Sequence, residues 1–309
     1  MRYRRRFAGV ILALLVSPVA SNGAGAAAPT RAPAPVCVAH GAAKSCTAWF
    51  RADAWSPTPS IYLTHFRPFP AQASVIAYAA WIRATATQIA LYPGYKGPGD
   101  TALARGPEMV PSTARRRLLA TFNSGFYEAD HAGGFYTHGT LYFPMVRGEA
   151  TLVRYANGSV DVVTWSGGAR PGANILMARQ NLTLLVANAR STPLAANNAA
   201  WGITLHGVPA VWRTAIGVDA AGNLIYAAAP AQTSSSLAQV MVDLGCVRAM
   251  QLDINPEWPI FVTYAAPGAV RPTLDVPNPN QIPGRFLYPS TNDFFAVYTA
   301  GSPGAAQPW

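Results

Sequence analysis

Outside one short stretch, the apolar residues of this chain come in brief β-prone runs closed off by Gly, Pro, Asn and Asp, and that punctuation restricts the fold more than any other feature. Asn157-Gly158 stands between Ala150–Tyr155 and Val160–Trp165, and Ala221-Gly222 between Val211–Val218 and Asn223–Ala228; both patterns predict two-stranded hairpins. Ile61–Thr64, Thr87–Tyr92, Leu118–Phe122, Gly139–Val146, two pieces within Asn174–Arg190, and Asp293–Tyr298 read as further strands. Ser74–Arg83 carries β-prone residues, and its alanines also allow a helix. Helical periodicity is confined to Thr233–Leu244, where Leu237, Val240, Met241 and Leu244 share one face, Ser and Thr supply the cap, and Gly245 the stop. The Pro- and Asn-rich residues 265–285 predict a long surface loop. The class is α+β, with mostly antiparallel strands and few helices.

The first residues belong to a different problem. Arg2, Arg4, Arg5 and Arg6 precede the apolar run Phe7–Val16, and small residues lead to Ala26-Ala27-Ala28, the pattern of a secretory signal peptide over residues 1–28 cleaved near Ala26–Ala28. The remaining organisation is an N-terminal segment over 29–60, a single domain over 61–300, and a tail over 301–309. The mature protein is then secreted or periplasmic, with no stable membrane span after cleavage. In such a compartment Cys37 and Cys46, close together in a Gly/Ala-rich and weakly structured segment, are predicted to pair, leaving Cys246 as a buried thiol. Residues 29–36 are too rich in Pro and Ala to predict order. Without the four leader arginines the net charge falls from +10 to about +6. The basic residues are scattered apart from Arg115-Arg116-Arg117, which is no nucleic-acid footprint.

Chemistry concentrates in Val247–Pro259, VRAMQLDINPEWP, where two of the chain's 13 acidic residues, Asp253 and Glu257, flank an Asn255-Pro256 turn. Asp253 or Asn255 could cap that turn, with Trp258 in the core; equally, the two carboxylates could work on a bound substrate. Asn123-Ser124-Gly125 follows a buried strand and can aim an amide and backbone N–H groups into a cleft. Arg213 interrupts an apolar strand, either as a salt-bridge partner or as an anion-binding guanidinium. Asp219 opens an Asp-Ala-Ala-Gly-Asn hairpin turn. His131 and His138 match no closed set of zinc ligands. No cofactor is predicted; the metal requirement is unknown, and a divalent cation stays open.

In order along the chain, TFNSGFY (121–127), RTAIGVDAAGNLIY (213–226), AMQLDINPEW (249–258) and NDFFAVY (292–298) resemble blocks of the phosphodiester glycosidase domain family. The first is similar to an N-G-G-F-F signature and the third to an L-D-G-G-G block; the likeness spans roughly residues 70–299. The resemblance implies an exported hydrolase that cleaves a sugar-1-phosphodiester, as members do when they remove N-acetylglucosamine from mannose 6-phosphate diesters. Its partner would be a phosphate-linked glycan or cell-envelope polysaccharide, not nucleic acid. Carried over by block, Asn123, Arg213 and Asp253 are site positions, and Gly125 and Gly217 structural glycines. Asp253 would act at the sugar as nucleophile or as base for water, with Glu257 as second carboxylate. Arg213 would hold the phosphate, and Asn255 and Asp219 would contact substrate. Asn123, Arg213 and Asp253 should then meet in one cleft. The chain departs from the family where Ile254-Asn255-Pro256-Glu257 replaces the glycine run and Ser124 replaces the first glycine. Those departures keep a second reading open, a non-catalytic carbohydrate-binding or envelope-associated protein on the same fold.

Overall fold

The computed structural model describes residues 31–40, 43–56, 58–69, 71–204 and 207–301. The leader over 1–28 and all but the first residue of the C-terminal tail lie outside them.

Every strand pairing among the described residues is antiparallel. A five-stranded sheet runs in the order Val270–Leu274, Phe261–Ala266, Leu118–Asn123, Phe294–Thr299, Thr87–Tyr92. An eight-stranded sheet places Arg248–Gln251 and Val211–Val218 side by side near its middle, with Leu224–Gln232 and Ala77–Ile82 beyond them. A second five-stranded sheet is built on Ala150–Tyr155, Ile175–Gln180 and Phe135–Thr137. The inner faces of all three sheets share one apolar core. Within it Phe122 packs its ring against Phe261, Phe295 and Tyr226 at centroid distances of 5.2 to 5.7 Å, so the residue that follows, Asn123, emerges from an aromatic cluster of the core.

The outer face of the eight-stranded sheet is covered by the helix Ser234–Asp243, which buries Leu237, Val240 and Met241 there. Its start is a capping box: Thr233 Oγ1 accepts from Ser236 N–H while Ser236 Oγ accepts from Thr233 N–H. Gly245, at φ 87°, ends it in the left-handed region that a C-terminal stop needs. Cys246 lies fully buried against the same core, and burial pushes its thiol far above the ordinary range.

Two local expectations change, and an alternative left open for residues 74–83 is resolved. The segment around Cys37 and Cys46 is a hairpin, Val36–His40 on Ala43–Thr47, with the two cysteines directly opposite and disulfide-bonded. Residues 265–285 are not loop throughout: Phe261–Ala266 and Val270–Leu274 form a hairpin, in which Pro272 is tolerated because its strand lies on the sheet edge. Residues 74–83 contain a strand, Ala77–Ile82, because cross-strand partners on both sides outweigh the helix propensity of alanine.

Candidate functional site

Asp253 lies just past the central strand Arg248–Gln251, where the eight-stranded and the first five-stranded sheets meet. A chain of hydrogen bonds fixes it. Tyr226 Oη donates to Asn123 Oδ1 (2.8 Å), Asn123 Nδ2 donates to Thr214 Oγ1 (2.9 Å), and Thr214 Oγ1 donates to the Asp253 carbonyl (2.7 Å). The Asp253 N–H donates to the carbonyl of Ser124 (3.0 Å). Asn123 Nδ2 also donates to Ser124 O, and Asn123 Oδ1 also accepts from Ile260 N–H, which fills the hydrogen-bonding capacity of that amide. Asn123 therefore positions Asp253 and has no group left to offer a ligand.

Asn181 adds a second tie. Its Oδ1 accepts from Phe126 N–H and its Nδ2 donates to Gln251 O, joining the loop after Asn123 to the strand before Asp253. A Cβ on Gly125 would meet Asn181 Oδ1 at 3.0 Å, and one on Gly217 would meet Arg248 O and Cys246 Sγ at 2.7 Å; the packed Asn181 side chain explains the first glycine, and the adjacent strand's backbone together with Cys246 the second.

Asp253 is 6% exposed. Burial pushes its pKa up to about 7, against the lowering effect of the Asn255 N–H at 2.8 Å from Oδ1, and the neighbouring Asp293 pushes the same way as burial. Asp253 borders two cavities. One, of about 650 Å³, is lined by Phe126, Tyr127, Leu182, Trp212, Ile254, Asn255 and Trp258 among others, and the described lining contains no Lys or Arg. The other, of about 10 Å³, has room for about one water and is lined by Asn123, Asp253, Arg285, Asn292 and Asp293 among others.

The second carboxylate beside Asp253 is Asp293, not Glu257. Glu257 is exposed and lines neither cavity; its N–H donates to Asn255 Oδ1 within the turn. Asp293 is buried and paired with Arg179, Nε to Oδ2 at 2.9 Å, and Arg179 further donates to the carbonyls of Phe126 and Gln180. Tyr127 Oη donates to Asn292 Oδ1 at 2.6 Å, and burial, then Asp293 and Asp253, push the phenol's pKa up. Residues 292–293 open the NDFFAVY block, and Arg179-Gln180-Asn181 ends an apolar strand; polar residues bounding buried strands were the available signal.

Arg213 does not join Asn123 and Asp253. Side chains alternate along a strand, so with Thr214 turned toward them, Arg213 faces the helix side of the sheet. It is wholly buried and donates to Gln232 O (2.9 Å), Trp201 O (3.1 Å), Gln251 Oε1 (2.6 Å) and Asn198 Oδ1 (3.0 Å). Burial lowers its pKa to about 10, which leaves it a cation at neutral pH. Through Trp201 O it holds from behind the segment that continues as Gly202–Thr204 into the wall of the large cavity. The member of the second block that reaches Asp253 is Thr214. Asp219 is also elsewhere: it accepts from Ala221 and Asn223 N–H in the hairpin turn and from Trp81 Nε1, five residues beyond Thr214 and so roughly 15–17 Å along the strand. Asn255 lines the large cavity with an exposed side chain. His131 stands on its rim, and among the described residues no three of His, Cys, Asp and Glu gather as a metal-binding group. No helix among them is long and apolar enough to cross a membrane.

A family model described as phosphodiester glycosidase matches residues 116–253, from the strand that carries Asn123 to Asp253 itself. No curated protein sequence matches the chain. Among solved structures, the chain is similar to the zebrafish N-acetylglucosamine-1-phosphodiester alpha-N-acetylglucosaminidase catalytic domain auto-inhibited by pro-peptide, at 17% identity and a TM-score of 0.50, over 82% of this chain and 88% of that one. Weaker likenesses are to a hypothetical protein from Synechocystis (11% identity, TM-score 0.42, 83% of this chain and 65% of that one) and a putative exported protein from Burkholderia pseudomallei (14%, 0.41, 80% and 76%). The family model that matches residues 116–253 is that of the family read from the four sequence blocks, and the mostly antiparallel α+β fold, with one α-helix among the described residues, is similar to that of the zebrafish domain.

Proposed function

We propose that this protein is an exported hydrolase that cleaves a sugar-1-phosphodiester in a phosphate-linked glycan or cell-envelope polymer, with Asp253 acting at the anomeric carbon. One observation carries the reading: a buried carboxyl at the edge of a cavity of about 650 Å³, tied to both sheets and with a pKa near 7, is poised to take a proton at neutral pH. The large cavity suits a sugar, with Trp212 and Trp258 offering ring faces and Asn255 a polar edge. In the reaction a water oxygen bonds to the anomeric carbon, its proton passes to Asp253, and the sugar–oxygen bond breaks. The bonding electrons leave with a phosphate monoester, which departs without help from a general acid. Glu257 then has no part in the chemistry, and Arg179–Asp293 sets the charge around Asp253. The Cys37–Cys46 disulfide and the N-terminal leader pattern support export.

The non-catalytic alternative keeps one observation in its favour: an Asn-Pro-Glu turn with an exposed Asn255 stands where the family has a glycine run. Incubation with the methyl phosphodiester of N-acetylglucosamine 1-phosphate separates the two. The hydrolase releases free sugar and methyl phosphate in equal amounts, and Asp253→Asn slows the release of both by about 10²–10⁴ near pH 7 and above. Substrate recovered intact under saturating wild-type protein would refute the hydrolase.

A further inference from the structure

A phosphodiester substrate brings a negative charge beside two carboxylates, Asp253 and Asp293, so the site needs a cation that is not already committed. Arg179 is spent on Asp293 and on backbone carbonyls. Arg213 is spent on four oxygens on the other face of the sheet. Of the two cavities that meet at Asp253, the described lining of the large one contains no Lys or Arg, and that of the small one contains Arg285 alone.

We propose that Arg285 is the residue that binds the phosphate of the substrate, in the place the sequence assigned to Arg213. Its guanidinium lies over the Trp258 ring, 5.3 Å from the centroid, and Trp258 lines both cavities. No ion pair or side-chain hydrogen bond is found for this guanidinium among the described residues. A cation–π contact with the indole does not use the guanidinium's N–H groups, which stay able to pair with two phosphate oxygens.

The backbone carrying Arg285 is anchored to the Asp253 turn. Asn278 Nδ2 donates to the carbonyls of Pro256 and Pro259, both at 3.0 Å, and Gln281 Nε2 donates to Glu257 O. The loop and the turn therefore hold together as one wall, with Arg285 and Asp253 both lining the small cavity. The small cavity is too tight for a phosphate, so in this proposal the anion sits in the large cavity and Arg285, which lines the small one, reaches it past Trp258, the residue shared by both. This inference rests on the phosphodiester reading for the identity of the anion, yet it can be tested without the sugar.

The test is a ³¹P NMR titration of the full chain with methyl phosphate, comparing wild type with Arg285→Gln and Arg285→Ala. Glutamine keeps a flat group against Trp258 without the charge, so it separates anion binding from pinning of the loop. Loss of a charge-assisted pair should weaken binding on the order of 10–100-fold in both variants, with Tm of the glutamine variant near wild type. Raising the salt concentration should weaken wild-type binding more than that of either variant. Methyl phosphate binding to Arg285→Gln as tightly as to wild type would overturn the assignment, as would no saturable binding to wild type. Failure to hydrolyse the sugar probe, with Arg285-dependent phosphate binding intact, would instead count against the hydrolase reading alone.

Discussion

Asp253→Asn separates a working carboxylate from a turn cap, and the structure lets its size be worked out. In the fold the carboxyl titrates near 7, whereas its ordinary value is 3.8. Between those values the native protein holds a proton that the unfolded chain releases, so the contribution of this group to stability falls as pH rises through that window. Above about pH 7 the ionised Asp253 costs about 4 kcal/mol relative to its behaviour in the unfolded chain. Asparagine loses no proton, and its Oδ1 can still accept from Asn255 N–H, now at 2.8 Å. The variant should therefore melt higher than wild type at about pH 8, by on the order of 5–10 °C. That advantage should shrink steadily toward about pH 4, where both side chains are neutral. Activity on the methyl phosphodiester should fall by about 10²–10⁴ above about pH 7 and by progressively less below it, where the wild-type base is itself protonated. Paired thermal melts and initial rates across the range test both halves. A melting difference independent of pH would refute the perturbed carboxyl, and near wild-type turnover would refute its catalytic role.

Wild-type kcat/KM should rise about tenfold per pH unit up to about pH 7 and then level off, because the base must be ionised; a flat profile from about pH 5 to 8 would exclude Asp253 as that base. Arg213→Ala removes four hydrogen bonds and leaves a cavity in the fully buried site of the guanidinium, although Trp201 O and Asn198 Oδ1 keep donors in Gln251 Nε2 and Ser234 N–H. It should lower stability by about 3 kcal/mol in chemical denaturation, while methyl phosphate affinity at a temperature where the variant is folded changes less than about twofold. Replacing both Cys37 and Cys46 by Ser opens a loop with a sequence separation of nine and should lower stability by about 2–3 kcal/mol, readable as a shift in denaturation midpoint. Non-reduced peptide mapping of exported protein should recover the two cysteines as one linked species.

The elements themselves were legible along the chain because they are local. Asn157-Gly158 and Ala221-Gly222 marked their hairpins, and Thr233–Leu244 announced the one α-helix among the described residues with its cap and stop. Phe135–Thr137 went unread, since three residues are too few for a period to show. Asp253 could be singled out because carboxylates are scarce and this one stands beside a buried strand. Its partners could not. Whether Arg213 or Thr214 faces Asp253 turns on a single step of strand alternation, and a shift of one residue exchanges the two faces. Asp293, Arg179 and Arg285 reach the site from three separate segments, so no spacing in the chain connects them to Asp253. Burial, which sets the pKa of that carboxyl, is a property of the assembled sheets: the sequence by itself determined which residues could carry charge, and only the tertiary structure decided which of them are already neutralised and which are left to meet a substrate.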